Sequence, residues 1–159
     1  VSGIGFDAHI AKLFSKEKER GLRNYIKLIL KELDYNPQEY SIKYDKVERK
    51  VKAYMISFAN GSQYGNNVII SPRAKLDDSL LDFVIVKEFP KWKIPLFLIQ
   101  IATGNAHLSQ HVEIIQSQKM KIQCTNTLLH LDGESQESNN PIEVNLLPKS
   151  LKILMPNEK

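Results

Sequence analysis

Lys119-Met120-Lys121-Ile122-Gln123-Cys124 alternates polar and apolar side chains at every step, the period of a strand with one buried face. The same alternation returns on both sides of it. Downstream, Leu129 and Leu131 flank His130, while Ile142, Val144 and Leu146 oppose Glu143 and Asn145. A closing strand follows, with Leu151 and Ile153 flanking Lys152. Upstream, Tyr40, Ile42 and Tyr44 alternate with Ser41, Lys43 and Asp45, and Val51 to Phe58 forms a longer strand ended by Asn60-Gly61-Ser62. Asn66 to Ile70 is a further short strand, and the β-branched, apolar Leu80 to Val86 reads as a central one.

Two segments break this rhythm. Leu22, Tyr25, Ile26, Ile29 and Leu33 recur at helical spacing, which predicts a helix from about Arg20 to Leu33, stopped by Asn36-Pro37. Lys91 to Thr103 is predicted as a second helix reaching Gly104. Turn-rich Glu134 to Pro141 reads as a loop between strands. Many short strands with two helices among them predict a mainly β, α+β domain: a β-sandwich or strongly curved sheet.

Residues 1–159 fit a single domain large enough to bury a core, and the composition is that of an ordinary globular protein. The single cysteine, Cys124, excludes an internal disulfide and suits a reducing, cytoplasmic setting. Val1 to Phe6 has no basic leader and no cleavage site, and without an initiator methionine the chain is expected to begin inside a longer protein. The net charge of +4 is spread among acids, as in Lys16-Glu17-Lys18-Glu19-Arg20. A nucleic-acid binder gathers its cations into a stripe, so no nucleic-acid partner is expected.

Three places concentrate polar chemistry. In Gly3-Ile4-Gly5-Phe6-Asp7 the glycines permit close backbone approach, and Asp7 reads either as a helix cap or as a functional carboxylate. In Ser71 to Asp82 a turn carries the adjacent acids Asp77 and Asp78, which suit a hard cation or simply bond to their own backbone. In Leu129-His130-Leu131-Asp132-Gly133-Glu134 a strand runs into an Asp-Gly turn. Glu134 there is placed to accept a proton from a bound alcohol, and the dipeptide equally reads as a plain hairpin.

Taken in order, these pieces resemble the second domain of the diacylglycerol kinase family, including the soluble bacterial lipid kinases and, more distantly, the sphingosine kinases. The matching residues are Gly3 to Asp7, Arg20-Gly21 with Tyr25, Phe58-Ala59-Asn60, Tyr64-Gly65, the Pro72 to Asp82 stretch, Leu131 to Glu134 and Leu151 to Pro156. The resemblance implies the C-terminal, lipid-side domain of an ATP-dependent kinase that phosphorylates a hydroxyl of diacylglycerol or a related lipid. The N-terminal domain that binds ATP through a Gly-Gly-Asp-Gly-Thr loop is absent from this chain, so the fragment alone is expected to be inactive. By the same resemblance, Glu134 is the general base and Asp7 joins the carboxylate network around the nucleotide's Mg²⁺. A second, structural Mg²⁺ would be held by the carbonyls of Lys75 and Leu80 and the carboxylate of Asp78; Asp132 neighbours the base. Ser79 stands where the family usually has glycine, and Asn66-Asn67 where further glycines would follow.

The implied partners are a lipid acceptor, ATP through the missing domain, and a membrane surface met peripherally; a homodimer is compatible with the sequence. The rival readings are a non-catalytic lipid-binding sandwich and a kinase for a sphingoid base or other lipid alcohol. His107 and His111 stand at a zinc-like spacing, but no third ligand is in view and coincidence is the better reading. Lys91-Trp92-Lys93 followed by Ile94 to Ile101 reads first as a core helix, with a membrane-touching surface as its functional alternative.

Overall fold

The computed structural model of the chain describes residues 1–17, 21–65 and 68–151. Its elements in chain order are β1 (Ser2–Gly5), α1 (Phe6–Phe14), α2 (Leu22–Lys31), β2 (Gln38–Tyr44), β3 (Val47–Ala59), β4 (Gln63–Gly65), β5 (Val68–Ile69) and β6 (Leu81–Lys87). Then follow α3 (Ile94–Ala102), β7 (Val112–Ser117), β8 (Lys119–Gln123), β9 (Leu128–Leu131), β10 (Glu134–Glu137) and β11 (Ile142–Asn145). Short 3-10 turns sit at Lys91–Lys93 and Ala106–Leu108.

Strand β3 organises the rest. Its residue Ala53 pairs with Gln38 of β2 and with Lys87 of β6, so those two strands lie on opposite edges. Ile56 pairs with Ile4 of β1 and Ile85 of β6. One edge of β3 is therefore shared in succession by β2 and β1, while β6 runs along the other and passes the sheet on to β7. Beyond the shared edge the sheet divides into two wings, β1-β9-β10 and β2-β8-β11, all pairs antiparallel. That division curls the nine-stranded sheet into the expected sandwich. A single apolar core joins the parts, with Ile4, Ile56 and Leu129 meeting Tyr40, Ile42, Met120, Ile122 and Ile142.

The alternation in β2 and β8 holds in the structure: Tyr40, Ile42, Met120 and Ile122 are buried and their neighbours face outward. Strand β6 is central, as its apolar run predicts, and Leu81 to Val86 are all buried. Its outer neighbour β7 was not anticipated, because Val112 to Ser117 has no clean alternation. Glu134 to Glu137, predicted as loop, is a strand: β10 pairs with β9 residue by residue from Glu134–Leu131 to Glu137–Leu128. Its side chains are all polar, so apolar periodicity carries no trace of it. The strand expected at Asn66 to Ile70 reduces to Val68–Ile69, with Asn66 and Asn67 outside the described residues. The closing strand likewise lies outside them beyond Leu151.

The outer edge is tied by charge. Arg49 of β3 and Lys87 of β6 both meet Glu113 of β7, the latter at 2.8 Å. Burial alone would raise the Glu113 carboxyl, but hydrogen bonds and charge from Lys87 and Arg49 outweigh it and hold the group below its usual range. A carboxylate so held stabilises the fold above its unfolded pKa, and the contribution is lost as pH falls through the folded value. Glu113→Gln should therefore lower unfolding free energy by about 0.5–1 kcal/mol at neutral pH, since the pair is partly exposed. In acid, below the folded pKa, the difference from wild type should vanish; urea titrations at the two pH values measure both.

Candidate functional site

The site begins with a row of residues across four strands. Ser57 of β3 pairs with Gly3 of β1, Gly3 with His130 of β9, and His130 with Ser135 of β10. Directly opposed residues share a face, so these four line the side of the wing that α1 covers. Helix α1 leaves β1 directly at Gly5, whose φ of 88° turns the chain sharply from strand to helix. Asp7 lies in the first turn, and its carboxylate points down onto the row. Its Oδ2 is 2.5 Å from Nε2 of His130, and both residues are buried, 4% and 2% exposed. Ser57 Oγ makes a longer contact of 3.5 Å to the same oxygen. A Cβ on Gly3 would stand 2.6 Å from that oxygen, so only glycine leaves room for the carboxylate.

The cap reading of Asp7 thus gives way to a buried acid–histidine pair. A carboxylate at this depth is tolerable only when paired and hydrogen-bonded. The hydrogen bonding also assigns the imidazole's protons. Nδ1 accepts the backbone N–H of Gly133 at 3.2 Å, so the ring proton sits on Nε2 and is donated to Asp7. The Tyr64 hydroxyl from β4 closes on the same Nε2 at 3.2 Å. Tyr25 of α2 borders the pair, and burial, reinforced by the Asp7 charge, pushes its hydroxyl well above the usual tyrosine range, keeping it neutral.

Through Gly133 the buried pair reaches the second motif. Asp132 and Gly133 both have positive φ, 48° and 91°, which is the two-residue hairpin turn that Asp-Gly favours. Glu134 is the first residue after it, exposed, and opposite Leu131. Its side chain therefore shares the face of Leu131 and not that of His130. Asp7 and Glu134 are not in contact; they are joined through His130 and the turn that His130 holds.

The loop before β6 is bonded at its start to Ser62, just before β4, and its acids are not among the partners of the buried pair. Asp78 Oδ1 accepts the backbone N–H of Leu80 at 2.9 Å, the self-bonded turn that its residue type allows. Among the described residues no three His, Cys, Asp or Glu side chains gather as a metal cluster. The donors that the resemblance assigns are one carboxylate, Asp78, and the carbonyls of Lys75 and Leu80. An all-oxygen set of this kind suits a hard cation such as Mg²⁺. Ser79 does sit in the left-handed region, at φ 61°, where a side chain strains the backbone. Ser79→Gly should raise stability by about 0.5–1 kcal/mol, the steric relief exceeding the added chain entropy, read as a higher urea midpoint with an unchanged slope. Asp82, one turn on, is buried between Ser71 and Gln116 and holds the base of this loop to β7.

The sequence singles out Asp7 and Glu134 as candidates and gives His130, Tyr64 and Ser57 no role; the structure gathers Asp7, His130, Tyr64 and Ser57 and leaves Glu134 on the face of Leu131. The signal for His130 was present: it is the polar residue of an alternating strand whose Leu129 faces the core, so it needed a partner on the other face. His107 and His111 share no helix; the first lies in the 3-10 turn and the second just before β7.

Residues 1–155 match the family described as the YegS C-terminal NAD kinase beta sandwich-like domain. The "Probable lipid kinase YegS-like" proteins of Chromohalobacter salexigens and Shewanella frigidimarina are 29% and 27% identical over 129 residues. Those alignments cover 80% of this chain and 41% of each relative, so the chain spans less than half the length of the curated proteins it matches. Two solved structures from Bacillus anthracis str. Sterne, both provisionally assigned as diacylglycerol kinases, superpose with TM-scores of 0.68 and 0.64 at 19% and 21% identity. They cover 92% of this chain and about half of their own. With its divided sheet and with nearly every residue matched, the chain belongs to the YegS C-terminal, NAD kinase β-sandwich-like domain family.

Proposed function

We propose that the protein carrying this chain is an ATP-dependent lipid kinase and that this domain presents the acceptor hydroxyl to the nucleotide. The observation that carries the reading is the link from Asp7 through His130 to the Asp132-Gly133 turn, which ties the two acidic motifs into one unit. A domain that only bound lipid would have little use for a buried carboxylate–histidine pair supporting an exposed carboxylate.

In this reading Glu134 takes the proton of the lipid hydroxyl as its oxygen attacks the γ-phosphorus of ATP; the bond to the β-phosphate oxygen breaks and ADP leaves. Mg²⁺, when bound, neutralises the phosphate oxygens. Asp7, oriented by the Nε2–H of His130, would belong to the carboxylate and water network around that charge. Lys75, Asp78 and Leu80 would hold a separate cation with a structural role. The curated relatives are named only as lipid kinases, and diacylglycerol appears only in the names of the structural neighbours. We take it as the first acceptor to test, and a sphingoid base or other lipid alcohol would use the same chemistry.

The test is phosphorylation of a panel of lipid alcohols by the full-length protein with ATP and Mg²⁺. Transfer of phosphate to diacylglycerol supports the reading as stated, and transfer to another lipid changes only the acceptor. A folded, nucleotide-binding protein that phosphorylates none of them would sink it.

A further inference from the structure

Helix α3 was expected in the core, and it is not there. Ile94–Ala102 is apolar almost all round, with Gln100 its one polar side chain, yet none of its residues is buried. A helix of that composition normally lies inside a protein or against lipid. Its outer face continues into the residues on either side: Trp92 is 76% exposed, Leu96 58%, Ile99 60% and Leu108 70%. A groove of about 330 Å³ runs beside it, lined by Phe89, Lys93, Leu96, Phe97, Leu108 and His111.

The charge carried by the segment itself has one sign. From Lys91 to Val112 there is no acidic residue, while Lys91 and Lys93 bracket Trp92. The Lys93 ammonium lies 5.5 Å from the Trp92 ring centre. The one nearby acid in contact, Asp34, meets Lys91 at 3.3 Å and is fully exposed, a pairing too weak to neutralise the lysine. An aromatic ring at the rim, lysines beside it and a broad aliphatic face are the arrangement of a surface that lies in a bilayer interface. Among the described residues no helix is long and apolar enough to cross a membrane.

The face is also coupled to the candidate site. A Cβ at Gly104, just past α3, would stand 3.6 Å from Ile69 of β5, so the two segments lie side by side. Strand β5 pairs with β4, and β4 carries the Tyr64 that touches His130. A bilayer seated on α3 would lie one hairpin away from the buried pair.

We infer that the Trp92–Leu96–Ile99–Leu108 face is a docking surface for membranes rich in anionic lipid. In supplying a lipid acceptor to the site, this inference rests on the kinase reading; the binding itself does not.

Cosedimentation of the full-length protein with phosphatidylcholine vesicles, with and without phosphatidylglycerol, tests it. The Leu96→Glu/Ile99→Glu double variant should lower partitioning about tenfold or more on vesicles containing phosphatidylglycerol. Lys91→Glu/Lys93→Glu should lower it by about fivefold or more per lysine on anionic vesicles only, an effect that added salt weakens. Lys91, Leu96 and Ile99 are exposed and Lys93 is half-buried at the rim of the groove, so circular dichroism and urea midpoints should stay near wild-type values. Wild-type protein that ignores both vesicles, or variants that bind as well as wild type, would overturn the inference. So would a dimer that Leu96→Glu/Ile99→Glu converts to monomer without any vesicle binding, which assigns the face to a second copy. Activity separates the two readings: the double variant should keep its turnover on a water-soluble, short-chain diacylglycerol and lose it on lipid presented in vesicles. Vesicle binding through α3 with no turnover on any lipid would leave docking standing and remove the kinase; turnover on vesicles that α3 substitutions do not change would do the reverse.

Discussion

Glu134→Gln in the full-length protein is expected to lower kcat by about a hundred- to ten-thousand-fold, the usual worth of a positioned general base. The same change should leave stability within about 0.5 kcal/mol, because it replaces an exposed side chain away from any structural feature. Glu134 is held in β10 by its backbone pairing with Leu131, which glutamine keeps. The hairpin turn before it depends on Asp132, Gly133 and the Gly133 N–H bond to His130, none of which is altered. Loss of activity with a wild-type urea midpoint would therefore report chemistry and not unfolding. Nucleotide affinity should be unchanged, since the amide still fills the same volume. Retained activity would move the base elsewhere, with Asp132 the next carboxylate to replace.

His130→Ala is expected to have the largest effect on stability, a loss of about 3–5 kcal/mol. Removing the imidazole leaves the Asp7 carboxylate buried without its main partner and takes the acceptor from the Gly133 N–H. It also opens a cavity between α1 and the sheet. The direct test is a double-mutant cycle with Asp7→Ala. With the charge gone, the buried site no longer holds an unpaired ion, so the double variant should be less damaged than the two single losses summed, by about 1.5–3 kcal/mol. His130→Gln, which keeps an N–H donor of similar reach, should recover part of the loss. A His130→Ala variant within about 1 kcal/mol of wild type would show that the pair contributes little, and additive single and double losses would show the same. Should His130→Ala fail to fold, the Asp7→Ala and His130→Gln variants still measure the interaction.

Much of the fold was legible because strand periodicity is local. Tyr40 and Ile42, Met120 and Ile122, and the unbroken apolar run of Leu81 to Val86 each state their burial within a few residues. The Asp132-Gly133 turn was equally plain, since two successive positive φ values select that dipeptide. Strand β10 escaped because Glu134-Ser135-Gln136-Glu137 has no apolar face; its backbone pairing with β9 makes it a strand. Helix α3 misled in the opposite sense: composition alone says buried, and whether a neighbouring element covers it is not a local property.

The sequence by itself determined the class of fold, most of the strand positions around the core, and the two acidic motifs at Asp7 and Glu134. What it left undecided was their connection. Asp7 and His130 are 123 residues apart, and no pattern in either segment names the other. They meet because β1 is inserted between β3 and β9, in a register that sets Gly3 opposite His130 and leaves space above the glycine for a carboxylate. Register between distant strands is chosen by the packing of the whole sheet, so only the tertiary structure could bring the buried pair together beneath the turn that carries Glu134.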